Sequence, residues 1–268
     1  MIHFFRKIRQ NLIKENRISK YLIYAIGEIV LVMVGILLAL YFNNLNTESE
    51  NLKKEELYLI NIVEDIEYQK GGLKSLITHY KQSIEIGKSI LKDYKTLKGF
   101  TQIDSLNDKL NFLMIVDDFP NTNNTYQELV NSGQQTLISS KELSIDIIDY
   151  YLFCSDNYIS FKNNNDNIYY SKVYTVFNRL SQTSLADIEL DESEDYLLDD
   201  DKISSQFIKN ELKKPENILE LLNAIKTQII IHTTYLSMVE ETLTASKELI
   251  IDIDKYLGLT SDMVVNYD

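Results

Sequence analysis

The chain of 268 residues has no tryptophan and contains only two prolines, eight glycines and one cysteine. Few prolines and glycines leave few sites for tight turns, so the sequence favours long helices over a sandwich of short strands. A single cysteine, Cys154, closes no disulfide within the chain and makes no cysteine-based zinc site. We interpret Cys154 as a small buried side chain beside Phe153.

Basic residues are outnumbered by acidic residues after the first 20 positions. Residues 1–20 hold six basic residues against Glu15 alone, whereas the residues after Phe42 hold 21 basic and 38 acidic ones, a net charge of −17. Affinity for nucleic acid depends on Lys and Arg at the phosphates, so we predict that this acidic part binds no nucleic acid. The same charge disfavours contact with anionic lipid headgroups.

The short motifs of enzymes and cofactor sites are also missing. The sequence contains no GxSxG, no HExxH, no glycine-rich phosphate loop and no Cys/His pair. We therefore predict no catalytic residue, no cofactor and no metal site. The acidic stretch 187–201 lacks the glycine and the ligand spacing of an EF-hand loop. It predicts a solvated surface loop, and an adventitious cation site is the alternative.

One long apolar run is present. Residues 22–42 read LIYAIGEIVLVMVGILLALYF and contain one charge. As a helix this run spans about 31 Å, which matches the ~30 Å hydrocarbon core of a bilayer. It is longer than the apolar core of a secretory signal and offers no small-residue cleavage site, so we expect it to be retained. We predict a transmembrane helix over residues 21–43.

The charges that flank this run predict its orientation. Basic residues are concentrated before it, and the sequence after it has no positive charge until Lys53. The positive-inside rule then places residues 1–20 in the cytoplasm and residues 44–268 outside, which in a Gram-negative cell is the periplasmic side of the inner membrane. Residues 1–20 either form an amphipathic helix on the inner leaflet or serve only as the topology signal.

An acid lies inside the predicted span. Glu28 is about 9 Å from its inner edge, and at ~100° per residue Gly35 and Ala39 return to within about 20° of it. Small residues let membrane helices approach closely, and acids turn away from lipid. Glu28, Gly35 and Ala39 therefore predict a face that packs against another helix. In the alternative, Glu28 snorkels toward the interface and the small residues are incidental.

The acidic part predicts an all-α domain with two long helices, over 48–98 and 215–258. In the first helix Leu52, Leu59, Ile66, Leu73 and Tyr80 recur every seven residues, and Gly71-Gly72 marks a kink or a break. Shorter helices are predicted over 103–115, over 125–132 with Gly133 as its C-cap, from a capping box at Ser139 and Glu142 to about Phe161, and over 166–180.

The last helix shows one seam in which the spacing alternates between four and three residues. It comprises Ile218, Leu222, Ile225, Ile229, His232, Leu236, Val239, Leu243, Ser246, Ile250, Ile253 and Leu257. This heptad pattern predicts a coiled coil or an extended bundle with the 48–98 helix. The polar members His232 and Ser246 are interpreted as register-setting core residues, and a ligand or switch role for His232 is the alternative. His3 and His79 suggest no cluster with His232.

Two stretches resemble a known family. FFRKIRQNLIKENRISKYLIYAIGEIVLVMVGILLALYFNN (4–44) is similar to the N-terminus of a family of uncharacterised single-pass membrane proteins from Bacteroidota. TYQELVNSGQQTLISSKELSIDIIDYY (125–151) resembles the family's T-F/Y-x-E-L-x-x-S-G…LI…ELR-x-x-I-x-x-YY region, with Ser144 where the pattern has Arg. The resemblance implies an inner-membrane protein with a helical periplasmic domain, and it implies no activity.

These features predict a membrane-anchored interaction or scaffold module. We expect the chain to contact the lipid bilayer and to associate with itself or with another membrane or periplasmic protein. The alternative is a subunit of a proton- or force-coupling inner-membrane complex that uses Glu28, by analogy with stator subunits of similar outline.

Overall fold

The computed structural model describes residues 18–183 and 202–259. Within these ranges every regular element is a helix and no strand occurs, which confirms the all-α prediction. The chain divides into two compact units, one up to Leu57 and one from Tyr58 onward. Most of the predicted basic tail, His3 and the acidic stretch 187–201 lie outside the described residues.

The first unit consists of the beginning of helix α1, which runs from Ile18 to Leu97. Its apolar segment has a mean hydropathy of 2.4 over 18 residues, and none of that window is buried. Leu31, for example, is 72% exposed. Among the described residues α1 is the one helix long and apolar enough to cross a membrane. The apolar helix is therefore confirmed, whereas its boundaries at 21–43, the membrane and the orientation stay predictions.

In the second unit α1 buries one residue in every three or four. This buried column comprises Leu59, Ile62, Ile66, Gln69, Leu73, Leu76, Tyr80, Ser83, Gly87 and Ile90. Apolar residues that recur at this spacing share one face of a helix, so α1 turns one stripe toward the core. Four members of the predicted seven-residue repeat lie on this column, but Leu52 is exposed.

The predicted break at Gly71-Gly72 is wrong, because α1 continues through both residues. A side chain at Gly72 would place its Cβ 3.1 Å from Cβ of Pro120. Gly87 has a similar role, since its Cβ would lie 2.8 Å from Cγ1 of Ile229. Both glycines therefore allow a close approach between elements.

Helix α2 (Leu106–Leu113) and helix α3 (Asn124–Asn131) follow α1. The predicted helix 103–115 is thus shorter at both ends. Gly133 follows α3 with φ 69°, a left-handed conformation that favours glycine, as predicted. A single 3-10 turn, Gln135–Leu137, leads to the next helix.

Helix α4 (Lys141–Asn164) begins one residue later than the capping box predicts. The cap is Ser140, whose side chain accepts a hydrogen bond from the Leu143 N–H at 3.2 Å. A π-helix, Asn165–Tyr174, and helix α5 (Thr175–Leu180) continue directly from α4. The prediction of a separate helix over 166–180 is therefore wrong in one respect, because no loop interrupts the chain at its start.

Helix α6 (Lys202–Glu211) precedes the long helix α7 (Pro215–Leu257). Pro215 occupies the first turn of α7, and Gly258 ends it with φ 70°, as predicted. The predicted seam is half right. In the structure, the buried column of α7 comprises Leu221, Ile225, Gln228, His232, Tyr235, Val239, Thr242, Ser246, Leu249 and Ile253. The positions predicted at Leu222, Ile229, Leu236 and Leu243 lie one residue off this column and are half-buried.

Three long elements build the second unit. Contacts run from Gln69 to Tyr150 and from Tyr80 to Phe161, so α1 and α4 run in the same direction. Contacts from Asn157 to Thr242 and from Phe161 to Tyr235 show that α7 runs against α4. Two clusters of buried apolar side chains fill the space between the elements, one centred on α1, α4 and α7 and one on α2, the π-helix, α5 and the start of α7.

Candidate functional site

The buried columns of α1 and α7 bring Ser83 and His232 together. The distance between His232 Nδ1 and Ser83 Oγ is 2.6 Å, and His232 is 4% and Ser83 1% exposed. The second ring nitrogen, Nε2, lies 2.9 Å from Nε2 of Gln228, one turn earlier on α7. The Gln228 amide also donates to the Leu113 carbonyl at 3.2 Å.

A neutral imidazole carries its proton on one nitrogen only. If the Gln228 amide donates to Nε2 of His232, the proton is on Nδ1 and is donated to Ser83 Oγ. This arrangement satisfies both ring nitrogens. Burial, together with a smaller electrostatic effect of His79, lowers the pKa of His232 to about 3, and Asp117 acts in the opposite direction. His232 is therefore neutral at physiological pH.

His79 lies beside this site, so the prediction that it forms no cluster with His232 is wrong. The two ring centroids are 5.8 Å apart. His79 Nδ1 forms a close ion-pair contact with the Asp117 carboxylate, which the loop after α2 supplies. Sequence spacing gave no sign of this contact, because Asp117 belongs to an irregular segment whose path the helical pattern does not predict.

A small cavity of about 10 Å³ adjoins His232. Its lining includes Tyr80, Gln228 and His232, together with Asn165 and Tyr169 from the π-helix. Among the described residues, the Tyr80 hydroxyl and Gln228 Oε1 have no hydrogen-bond partner. A volume of this size accommodates about one water molecule and no substrate.

Ser83 and His232 have the spacing of a nucleophile and its base, but the closed surroundings argue against that chemistry. Both side chains are buried, and the adjoining cavity holds no more than a water molecule. The arrangement can fix the register of α1 against α7, because a slip of either helix would leave several buried polar groups unpaired. This agrees with the interpretation of His232 as a core residue that sets register.

Ser246, the second predicted polar position, is fully buried and donates to the Leu243 carbonyl at 2.8 Å within its own helix. The contact between helices comes from Thr242 instead, whose hydroxyl accepts a hydrogen bond from Asn157 Nδ2 of α4 at 3.0 Å. The sequence pattern selected Leu243 for the buried column of α7, whereas the structure buries Thr242, one residue earlier. The pairing with Asn157 follows from this shift.

A second set of buried polar residues links α1 to α4. The Tyr150 hydroxyl donates to Gln69 Oε1 at 2.6 Å, and Gln69 Nε2 donates to the Pro120 carbonyl, also at 2.6 Å. Cys154 is buried beside them, as predicted, with its sulfur 3.5 Å from Gln69 Nε2. Burial raises the pKa of the Cys154 thiol, so this cysteine is not an activated nucleophile.

The TYQELVNSG segment packs onto α1 and α4. The Asp65 carboxylate of α1 accepts the Thr125 N–H at 2.8 Å and so serves as a cap for α3. The Tyr126 ring stacks on Tyr151 with centroids 4.4 Å apart. The Tyr58 hydroxyl donates to Glu128 at 3.3 Å. The motif that carries the family resemblance is therefore a packing unit of the fold.

In the first unit, α1 carries Glu28, Gly35 and Ala39 in one unbroken helix. Gly35 and Ala39 are exposed and Glu28 is half-buried. A Cβ added at Gly35 would meet nothing within 4 Å. The helix that a stripe of Glu28, Gly35 and Ala39 requires is thus present. The contact of this stripe with a partner helix stays a prediction.

A family model described as "Family of unknown function (DUF6090)" matches residues 28–208. The chain belongs to this family. The DUF6090 match includes Glu28, His79 and Asp117 and ends before α7, so His232 is outside it. Searches of curated proteins and of solved structures found no match. The prediction of a family of uncharacterised proteins is therefore supported, while its membrane nature and the Bacteroidota origin stay predictions.

Proposed function

We propose that this DUF6090 protein is a membrane-anchored interaction module, whose helical domain binds another envelope protein or a second copy of the chain. The observation that carries the proposal is helix α1. One end of this helix exposes an apolar segment, and the other supplies a buried column of the second unit. An exposed apolar surface of that length is unstable in water and is stable in a bilayer.

The orientation follows from the charges. The basic residues before α1 belong in the cytoplasm, and the acidic second unit then lies on the outer side. In this arrangement the inner membrane of a bacterium holds the chain, and the domain meets other proteins in the periplasm.

The interior of the second unit supports binding over catalysis. The cavity beside His232 has room for about one water molecule. The larger hollows, of about 300 and 660 Å³, are open grooves between helices at the surface. Grooves of this kind suit a helix or an extended chain from a partner.

The stripe of Glu28, Gly35 and Ala39 is the proposed contact inside the membrane. The test is the size of the complex after extraction in mild detergent, measured by sedimentation velocity for the full chain. Gly35→Leu and Ala39→Leu should shift the protein toward the monomer, because a bulky side chain separates the helix backbones. Gly27→Leu is the matched control, since Gly27 lies about 80° away from Gly35 around the helix.

If all three variants sediment as the wild-type protein does, the helix is only an anchor and the stripe is incidental. Glu28→Gln addresses the alternative of proton coupling. A neutral, hydrogen-bonding Glu28 predicts that this variant keeps both the complex and the phenotype of the wild-type gene. An ionising Glu28 predicts an intact complex that fails to complement a deletion strain.

A further inference from the structure

The outer face of α4 carries an apolar stripe that no described residue covers. Ile145, Leu152 and Ile159 recur every seven residues and are 46%, 56% and 50% exposed. Ile148 is half-buried and lies on the same side of the helix. The face of α4 that packs on α1 and α7 is opposite, and it contains Ile147, Cys154 and Phe161. Single exposed apolar residues are ordinary, but a seven-residue repeat is the pattern of a helix that receives another helix.

One border of the stripe is acidic. Asp149 and Asp156 each follow a stripe residue by four positions, about 40° around the helix, and both are exposed. In a coiled coil, the positions that flank the apolar seam carry charges that select the partner helix, and Asp149 and Asp156 occupy such positions. They form a row of negative charge beside the stripe.

The acidic border continues into a groove between α4 and α7. This groove has a volume of about 300 Å³, and its lining includes Asp146, Asp149, Glu248 and Asp252. Its remaining lining residues are apolar or aromatic: Tyr150, Phe153, Ala245 and Leu249. None of these lining residues is basic, so the groove is a negatively charged channel with an apolar floor.

We propose that this face of α4 binds an amphipathic helix of a different protein, with apolar residues for the stripe and Lys or Arg residues along the acidic border. The inference rests on the proposed function and names the chemistry of the partner. Long basic side chains on the border of such a helix reach into the groove, where their charges meet carboxylates and their methylene groups cover Phe153.

The charges disfavour the other occupants. A membrane surface rich in anionic lipid would repel Asp149 and Asp156. A second copy in antiparallel pairing would bring the two acidic borders together, and like charges across an interface are unfavourable. The chain's own segment 187–201 carries acidic residues and no basic one, so it has the same sign as the groove.

The test uses the full chain in its native membrane, with a photo-crosslinking amino acid at Leu152. The matched control carries the crosslinker at Ile230, which is 65% exposed on α7. The crosslinked segment is sequenced by mass spectrometry. We expect an adduct from position 152 and not from position 230, and its partner segment should be a basic amphipathic helix from another protein. Replacing Asp149 and Asp156 by Lys should reduce the adduct by at least about tenfold, while circular dichroism stays unchanged.

The proposal is overturned by an adduct with a second copy of this chain, with lipid or with a segment that is not basic. It is equally overturned by equal adducts at both positions, by no adduct at either, or by an adduct that the Lys variants leave intact. Sedimentation of the wild-type complex separates this result from the proposed function. A complex that persists without an adduct at position 152 leaves the interaction module standing and places its contact elsewhere.

Discussion

Ser83 and His232 are separated by 149 positions in the chain, yet Oγ of one lies 2.6 Å from Nδ1 of the other in the core between α1 and α7. Both are polar residues on columns that are otherwise mainly apolar. Because the His232 ring is neutral and buried, its titration couples the stability of the second unit to pH.

The first prediction concerns that coupling. The folded-state pKa of His232 is lowered to about 3 from 6.5, so the unfolded chain binds the proton first as the pH falls. The His232 contribution to stability is therefore complete above pH 6.5 and is lost toward pH 3. The slope is at most about 1.4 kcal/mol per pH unit. Urea unfolding of the wild-type protein and of His232→Leu between pH 7.5 and about 5 measures the difference. Parallel pH dependence in the two proteins would contradict the prediction.

A second prediction uses two glycines of the same helix. Gly87→Ala would place its Cβ 2.8 Å from Cγ1 of Ile229, whereas Gly71→Ala meets nothing within 4 Å. Inside a helix, alanine contributes about 1 kcal/mol more to stability than glycine, so Gly71→Ala should raise the free energy of unfolding. Overpacking costs about 1–3 kcal/mol, so Gly87→Ala should be the less stable of the two by about that amount.

The double variant Gly87→Ala, Ile229→Ala completes this test. Removing the Ile229 side chain relieves the contact, so the two substitutions should be non-additive. Strictly additive free energies of unfolding would show that Gly87 does not mark the close approach of α1 and α7.

The third prediction concerns the cap that α1 provides for α3. Asp65→Ala removes the acceptor of the Thr125 N–H and should cost about 1 kcal/mol. Hydrogen exchange should show a local effect, with faster exchange at the Thr125 amide. Glu64→Ala, which changes an exposed neighbour, is the control. Equal exchange at Thr125 in both variants would mean that Asp65 does not hold α3.

The fourth prediction tests topology. A reporter that is active only outside the cytoplasm should work when fused after Asp268, because the proposed orientation of α1 places the second unit outside the cytoplasm. The same reporter fused before residue 18 should be silent. A stable but inactive fusion after Asp268 would reverse the proposed orientation.

The helices were largely predictable because their signals are local. The ends of α7 at Pro215 and Gly258 and the C-cap at Gly133 each depend on residues within one turn, and the apolar segment of α1 is a continuous run in the sequence. Glycine was misleading in one place. Gly71-Gly72 suggested a kink or a break, but the environment of Gly72 depends on Pro120, about 50 residues away.

The site was less predictable because its contacts are distant in sequence. Apolar spacing on α7 selected Leu222, Ile229, Leu236 and Leu243, while the structure buries the residue before each. Gln228 and Thr242 are among the residues it buries, and each is paired with a group from another element. A hydrophobic pattern counts such polar residues as surface, so the pairing becomes visible only when the neighbouring helices are in place.

The position of α7 late in the chain has a consequence for folding during synthesis. The column of α1 emerges from the ribosome long before Gln228, His232 and Thr242 exist to pair with it. Contacts between distant parts of a chain form slowly, and apolar faces are prone to aggregate until their partner helix has packed on them. Newly synthesised chains therefore pass through a period in which α1 and α4 are present without α7. Chaperone dependence during synthesis should be concentrated in that interval, and truncation before Pro215 should prolong it indefinitely.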